Sequence, residues 1–431
     1  MTSLLLFILV PIFACLVQYL FLKLKIKHWV LIPLLSSLIT TALSIYVAFD
    51  EPTSFKLEWI HQWNMDLELS LNGISNIFIV LCSTAFLLQT ILCLNKQKSP
   101  LYWCMNLSLQ AAIFSFVLTQ NLALRIISWE LCWVPLFIIL INTDQGHLST
   151  KFSKIWFIAQ TLLICGSIII IGKFNKIHEA AFWLMLTALV IRMYLNTSKN
   201  LGSETTILVN VIVPLLPIVF FINTILPNFH NYIRDNFLII AILVCTIALF
   251  WIFKLMVSKA NSSIYTTNVL VFSSFVLIFL LKPELKIIQL CVQMVIAKTI
   301  LNIIMTHYGH RYTNELKKWV FLIALLLAFG FSGTVIGIPM LKVLSLLNLH
   351  QQAIAISVLS LMFVLFIISV TKIAQFFTDK KVTIKENGWP EIIKLVAVLI
   401  IFAGVVVASI DPTYINNNVK KYSQSNLIGE P

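Results

Sequence analysis

The chain has 431 residues, of which 59% are hydrophobic and 11% are charged, and it carries a formal net charge of +13. Soluble globular domains are nearer half apolar and a quarter charged, so this composition excludes a soluble domain and indicates a polytopic membrane protein. The positive charge does not call for nucleic acid as a partner, because Lys and Arg accumulate in the cytoplasmic loops of membrane proteins.

About 14 segments reach the roughly 20 mainly apolar residues that a helix needs to cross a bilayer. Met1–Leu22 has no basic leader and no small-residue cleavage site, so we interpret it as a retained first helix rather than a signal peptide. The predicted fold class is therefore an all-α integral membrane protein. In chain order, the predicted spans lie near 2–23, 29–48, 73–94, 101–120, 121–142, 155–172, 179–196, 207–227, 237–257, 265–281, 286–305, 319–346, 352–377 and 391–410.

Most predicted loops are short, and the longer polar segments are Asp50–Leu71, Thr378–Pro390 and the tail from Asp411. Asp50–Leu71 is rich in acidic residues, and we interpret it as a small cap outside the membrane. An even number of spans puts both termini on the same side of the membrane. The loops on the opposite side contain roughly twice as many Lys and Arg residues, so we expect that side to be cytoplasmic. We expect a multi-pass protein of the inner (plasma) membrane of a bacterium with both termini outside, and the mitochondrial inner membrane is the alternative.

The eight cysteines and eight histidines fall in no iron–sulfur, haem or zinc spacing. His307 and His310 are three residues apart, which is only a weak metal signal. The sequence has no glycine-rich phosphate loop and no soluble catalytic segment. We expect no metal, no cofactor and no catalytic centre in this chain, so any redox chemistry would belong to another subunit.

Glu130 lies near the middle of the apolar segment Asn121–Ile141. A carboxylate at the centre of a bilayer costs about 2.5–3.5 kcal/mol on insertion scales, so such residues are rare and usually functional. One interpretation is a hydrogen-bonded or protonated Glu that links two helices. The other, which we favour, is a proton or ion relay. Arg125, five residues earlier, is expected on another face of the helix and nearer to the membrane interface.

Several apolar runs contain a basic residue away from their ends, namely Arg192, Lys254, Lys298, Lys342 and Lys372. Lys and Arg near helix ends can extend to the headgroups, and we interpret Lys254 and Lys372 in this way. Lys298 is midway along its span, which makes it a candidate for a buried functional lysine.

Small residues and a proline interrupt the predicted span 319–346, at Gly330, Ser332, Gly333 and Pro339. This pattern indicates a discontinuous helix whose freed backbone groups line a polar cavity. The alternative is a simple proline kink. Lys342 follows the interruption by about one helical turn, where a broken helix could hold a titratable group.

Four short motifs carry a resemblance to one family: Leu67–Ser75 (LELSLNGIS), Trp129–Pro135 (WELCWVP), Gln293–Val295 (QMV) and Phe331–Thr334 (FSGT). They resemble the antiporter-like subunits of respiratory complex I and of Mrp-type cation/proton antiporters. Within that family the likeness is greatest to the subunit M group of bacterial NADH–quinone oxidoreductases and its mitochondrial counterpart, subunit four. The second motif is similar to the family's W-E-x-x-x-x-P, which places Glu130 on the key carboxylate.

The resemblance implies about fourteen helices with two inverted five-helix repeats and discontinuous helices. It aligns Arg192 with the seventh-helix lysine that pairs with the carboxylate, so Glu130 and Arg192 become the expected coupling pair. The implied divisions are N-terminal helices with a cap (1–100), a first repeat (101–227), a second repeat (237–377), a C-terminal helix (391–410) and a polar tail (411–431).

The sequence departs from the family at several relay positions, and the chain is shorter than a usual subunit M. By the resemblance, the family's eighth-helix lysine falls on Leu215, its eleventh-helix histidine falls on Ala297 beside Lys298, and the terminal Lys or Glu of its twelfth helix falls on or near Met340. Arg192 stays charged at physiological pH, so it can hold Glu130 ionised but cannot exchange a proton as a lysine can.

These residues support two functional hypotheses. The first is a proton-translocating subunit of a larger assembly, either an NADH–quinone oxidoreductase or a complex for cation exchange or inorganic-carbon uptake, with Lys298 and Lys342 as the relay beyond Glu130 and Arg192. The second is a structural subunit that keeps the fold to dock its neighbours and conducts nothing, which the lost lysine and histidine favour. Both imply other integral membrane subunits as partners, and the first implies protons or monovalent cations.

Overall fold

The structure is a computed structural model that divides into two compact units. The first unit comprises Met1–Leu195, Pro214–Ile225 and Asn417–Pro431, and the second comprises Asn196–Val213 and Leu226–Asn416. The structure describes residues 2–24, 31–48, 54–60, 65–71, 73–93, 99–142, 146–172, 178–194 and 215–236, together with isolated positions beyond them.

Helices dominate the described part of both units. The first unit has, in chain order, α1 (Thr2–Lys23), α2 (Leu31–Ala48), β1 (Ser54–Ile60), β2 (Met65–Ser70), α3 (Gly73–Cys93), α4 (Pro100–Leu118), α5 (Leu122–Ile141), α6 (Gly146–Ile171), α7 (His178–Tyr194) and α8 (Leu215–Phe220), which passes into a π-helical turn at Phe221–Ile225. In the second unit, α9 (Leu226–Asp235) is kinked at Phe229. The first seven predicted spans therefore each contain a helix, as expected.

The all-α membrane class predicted from composition is confirmed in the described part of the chain. Four of its helical segments are long and apolar enough to cross a bilayer, namely Leu4–Phe21, Pro100–Leu118, Leu122–Ile141 and Ser153–Ile171. The predicted spans beyond residue 246 lie outside the described helices. The count of about fourteen and the repeats at 101–227 and 237–377 stay predictions.

Local sequence explains where α4 and α5 begin. Ser99 caps α4 by accepting a hydrogen bond from the Tyr102 amide (3.2 Å), and Pro100 follows in the first turn, where its missing N–H costs nothing. Asn121 caps α5 through its side-chain oxygen, which accepts from the amides of the second and third residues after it. Most residues of α4 are buried, including the polar Asn106 and Gln110, so this helix lies in the interior of the unit.

The polar connection 50–71, which the sequence assigned to a small cap, contains an antiparallel hairpin. Strands β1 and β2 pair from Ser54 opposite Ser70 to Ile60 opposite Met65, with an irregularity between Leu57 and Ile60. The end of β2 continues onto the turn between α4 and α5. There Leu69 pairs with Thr119, and the Gln120 amide donates to the Glu68 carbonyl (2.9 Å).

Short polar side chains join α2, α3 and α4 inside the unit. Ser44 and Ser83 share a hydrogen bond of 2.7 Å, and Thr41 donates to the Ser83 carbonyl (3.2 Å). The Gln110 side chain, on α4, donates to the hydroxyl of Thr40 (3.0 Å). Helices in membranes associate through such bonds and through close packing, because burial from lipid brings no hydrophobic gain.

The outer faces of α1 and α2 are apolar and exposed. They border an open groove of about 670 Å³ whose walls are almost entirely hydrocarbon. Its wall includes Leu9, Phe13, Leu16 and Leu35, each more than half exposed. In a membrane-spanning chain such a face contacts lipid or another apolar segment.

Candidate functional site

The candidate site is formed by α5, α6 and α7. Glu130 lies near the middle of α5, about 12 Å along the axis from its first residue, and 36% of its side chain is exposed. It borders the exposed face of α5 that carries Ile127, Leu131 and Val134. The carboxylate therefore sits at the edge of the helix bundle, with its charged end turned toward α6 and α7.

The predicted contact between Glu130 and Arg192 is present. Arg192 lies in the last turn of α7, and its Nη2 donates to Glu130 Oε1 over 3.0 Å. The same nitrogen also donates to the Oε1 atom of Gln160, on α6. The Arg192 side chain is only 2% exposed, so its charge is buried and directly paired.

Two indole rings enclose the guanidinium group. Arg192 Cζ lies 4.1 Å from the centroid of the Trp129 ring and 4.0 Å from that of Trp156. Trp156 also donates from Nε1 to Glu130 Oε1 (3.2 Å) and lies 3.5 Å from Oε2. Trp133 stacks on Trp156 with 4.9 Å between centroids. Planar guanidinium groups stack well on aromatic faces, which an ammonium group does less well.

Several buried hydrogen-bond donors at this site have no acceptor among the described residues. They are Nε and Nη1 of Arg192, Nε2 of Gln160 and Nε1 of Trp129. Buried donors in proteins are usually satisfied by protein groups or by ordered water. The site is therefore polar as well as buried.

Arg125 forms a second buried cationic site, which the sequence did not reveal. It was expected near the interface; it is in the first turn of α5 but only 2% exposed. Its Nε and Nη2 donate to the Thr119 carbonyl (3.0 and 2.5 Å), and Nη1 donates to Thr224 Oγ1 (2.7 Å) and to the Asn223 carbonyl (3.2 Å). Asn223 and Thr224 belong to the π-helical turn, a feature that occurs often at functional sites.

The remaining predicted site residues are distributed as follows. Lys342 lies in a helical turn of the second unit and is exposed, and its carbonyl accepts a hydrogen bond from Ser345 Oγ (2.8 Å). Lys298 and the residues of the expected helix break, Gly330, Ser332, Gly333 and Pro339, lie outside the described residues. Leu215, which the resemblance was expected to align with a lysine, begins α8 and is 2% exposed. The relay and the break stay predictions.

Trp156 and Gln160 were missed because each stands in an apolar run that is typical of a core helix. Their spacing of four residues places both on one face of α6, and a glutamine inside a spanning segment was the available signal. Since the residues that they contact are 26 and 32 positions away along the chain, local pattern alone does not connect them with Glu130 and Arg192.

Comparison with solved structures identifies the fold. A chain of the Mrp complex from Dietzia sp. DQ12-45-1b superposes with a TM-score of 0.77 at 13% identity, covering 99% of this chain and 98% of that one. A chain of respiratory complex I from Thermus thermophilus gives 0.75 at 10% identity, covering 99% and 100%. A chain of the archaeal membrane-bound sulfane sulfur reductase gives 0.74 at 12% identity, covering 99% and 98%.

No protein-family model and no curated protein sequence matches this chain. The superpositions nevertheless span almost the whole of both chains in each pair. They confirm the antiporter-like membrane fold that four short motifs indicated.

Proposed function

We propose that the chain is a proton-translocating membrane subunit of a multi-subunit assembly. Its fold is shared with chains of complex I, an Mrp complex and a sulfane sulfur reductase, which supports other membrane subunits as partners. The candidate assemblies are of the NADH–quinone oxidoreductase type or of the Mrp and inorganic-carbon-uptake type. Protons, or other monovalent cations, are the proposed cargo.

The observation that carries this proposal is the ion pair of Glu130 and Arg192, 3.0 Å apart, in which the Arg192 side chain is buried and the Glu130 side chain is 36% exposed. Because arginine keeps its charge at any physiological pH, Glu130 is the member of the pair that can bind and release a proton. The guanidinium group stabilises the ionised carboxylate only while the two are close. Separation of the pair would favour proton binding, and renewed contact would favour release.

The surroundings support the same proposal. Arg192 is held by hydrogen bonds to Glu130 and Gln160, and 36% of the Glu130 side chain is exposed. A fixed positive charge beside a partly exposed carboxylate suits a site where that carboxylate binds and releases a proton. Lys298 and Lys342 remain the proposed relay beyond the pair.

A structural subunit is the second candidate. Leu215 is 2% exposed where the family has a lysine, so this position holds an apolar side chain in place of a relay group. In that case Glu130 and Arg192 hold the helices together, and the exposed faces of α1 and α2 serve to dock other subunits.

The test is Glu130→Gln in the assembled complex, because the amide keeps the shape of the side chain but cannot titrate. We expect proton uptake into membrane vesicles to be lost while the abundance of the subunit is unchanged. Glu179→Gln, an exposed carboxylate in the first turn of α7, is the matched control and should transport normally. Normal uptake by Glu130→Gln at normal abundance would overturn the conduction proposal in favour of the structural one.

A further inference from the structure

Trp156 is in direct contact with both charged groups of the site. Its indole nitrogen donates to Glu130 Oε1 over 3.2 Å, and the face of its ring lies 4.0 Å from Arg192 Cζ. The side chain is buried, with 3% of its surface exposed. An indole has one N–H donor and no acceptor, so it can serve the carboxylate and the guanidinium at the same time without competing for either.

The rest of α6 supports this position of the indole. Gln160, one turn later, accepts a hydrogen bond from Arg192 Nη2. Trp133, on α5, stacks on Trp156 with an interplanar angle of 20°. Arg192 is thus held from one side by two residues of α6 and from another by Trp129, while its Nη2 points at the carboxylate.

We propose that Trp156 and Gln160 are positioning residues that hold Arg192 against Glu130, so that the pair separates only when the α6 face moves away from it. This inference rests on the proposed function, because it assigns a control element to the same site. Charge-assisted hydrogen bonds and desolvated cation–π contacts are among the stronger polar interactions in proteins. Together they fix the buried guanidinium group in one position.

The same geometry distinguishes the two oxygens of the carboxylate. Oε1 accepts from Arg192 at 3.0 Å and from Trp156 at 3.2 Å, whereas the contact of Oε2 with Trp156 is 3.5 Å long. Oε2, which has only this long contact, is therefore the oxygen at which an incoming proton would bind. The hydrogen bonds to Oε1 can persist until the charge on the carboxylate is neutralised.

The experiment uses Trp156→Phe, which keeps an aromatic face for Arg192 but removes the N–H donor. Trp103→Phe, in a fully buried position on α4, is the control for the loss of an indole elsewhere in the unit. In the assembled complex we expect the carboxylate stretching band of Glu130, identified by its absence in Glu130→Gln, to shift in Trp156→Phe and to stay in place in Trp103→Phe. Proton uptake should fall about tenfold in Trp156→Phe, since small misplacements of reacting groups cost one to two orders of magnitude.

The two readouts separate the failure of this inference from the failure of the proposed function. An unshifted carboxylate band in Trp156→Phe overturns the positioning role, whatever the transport result. A shifted band with normal uptake, in a complex whose uptake Glu130→Gln abolishes, overturns the claim that positioning matters for transport. If the Trp156→Phe subunit does not accumulate, Gln160→Met is used instead. This variant removes the Gln160 oxygen that accepts from Arg192 Nη2, and we expect it to shift the carboxylate band and to reduce proton uptake.

Discussion

We predict that Gly166→Ala pushes α7 away from α6 and lengthens the contact between Glu130 and Arg192. A Cβ at Gly166 would lie 2.8 Å from Met185 Cγ and 3.1 Å from the Ala181 carbonyl oxygen. Carbon atoms in favourable contact are about 3.5–4.0 Å apart, so Met185 must move by at least about 0.7 Å. The carbonyl oxygen cannot rotate away, because it belongs to the backbone of α7.

Overpacking of this kind costs about 1–3 kcal/mol, and small residues are what allow helices in membranes to approach closely. The displacement should reach Arg192, since it lies on the same rigid helix as Ala181. We therefore expect Gly166→Ala to lower the free energy of unfolding of the purified complex by that amount and to reduce proton uptake.

The double variant Gly166→Ala with Met185→Ala is the control for this reasoning. It removes the atom 2.8 Å away but leaves the carbonyl contact at 3.1 Å, so we expect it to regain part of the lost transport. Wild-type stability and uptake in the single variant would refute the claim that α6 and α7 are packed as closely as this site requires.

Three further predictions concern the remainder of the first unit. Arg125→Met should lower the free energy of unfolding by about 1–3 kcal/mol, because it leaves buried carbonyl and hydroxyl acceptors without their donor, and thermal unfolding in detergent measures this; an unchanged stability would contradict it. Ser83→Ala should cost about 0.6 kcal/mol, the typical worth of a hydrogen bond between membrane helices, through loss of its bond to Ser44, and a double-mutant cycle with Ser44→Ala isolates that value. Asp66→Asn should change the same free energy by less than about 1 kcal/mol, because its partner Lys56 (3.0 Å) is 59% exposed and such ion pairs contribute little; a larger effect would mean that the hairpin depends on this ion pair.

The helices and the central pair could be predicted from the sequence because strong physical rules govern them. A bilayer requires about 20 apolar residues for each crossing, and those stretches can be counted directly. A carboxylate in the middle of a span requires a partner. Because the resemblance aligned Arg192 with the lysine that pairs with this carboxylate in the family, Arg192 could be predicted as the partner of Glu130. The fold followed from the same motifs although the solved neighbours share only 10–13% identity with the chain.

The enclosure of the pair and the burial of Arg125 could not be predicted, because both depend on contacts between distant segments. Trp156 has the same local environment in the sequence as any core tryptophan, and only the packing of α6 against α5 and α7 brings it to the charges. Arg125 resembled an interfacial arginine. Its burial depends on carbonyls of the α4–α5 turn and of a π-helical turn roughly one hundred residues later, and the sequence gives no sign of that turn.

The connection of the hairpin to the α4–α5 turn has a consequence for how this fold can vary. The Gln120 amide donates to the Glu68 carbonyl, and Leu69 pairs with Thr119 through main-chain atoms. These hydrogen bonds join backbone groups and do not depend on the side chains, so most substitutions at these positions leave them intact. Proline at position 120 is the exception, because it has no N–H to donate. Substitutions that accumulate during evolution can therefore replace the side chains of this region while the main-chain hydrogen bonds keep the hairpin joined to the turn before α5.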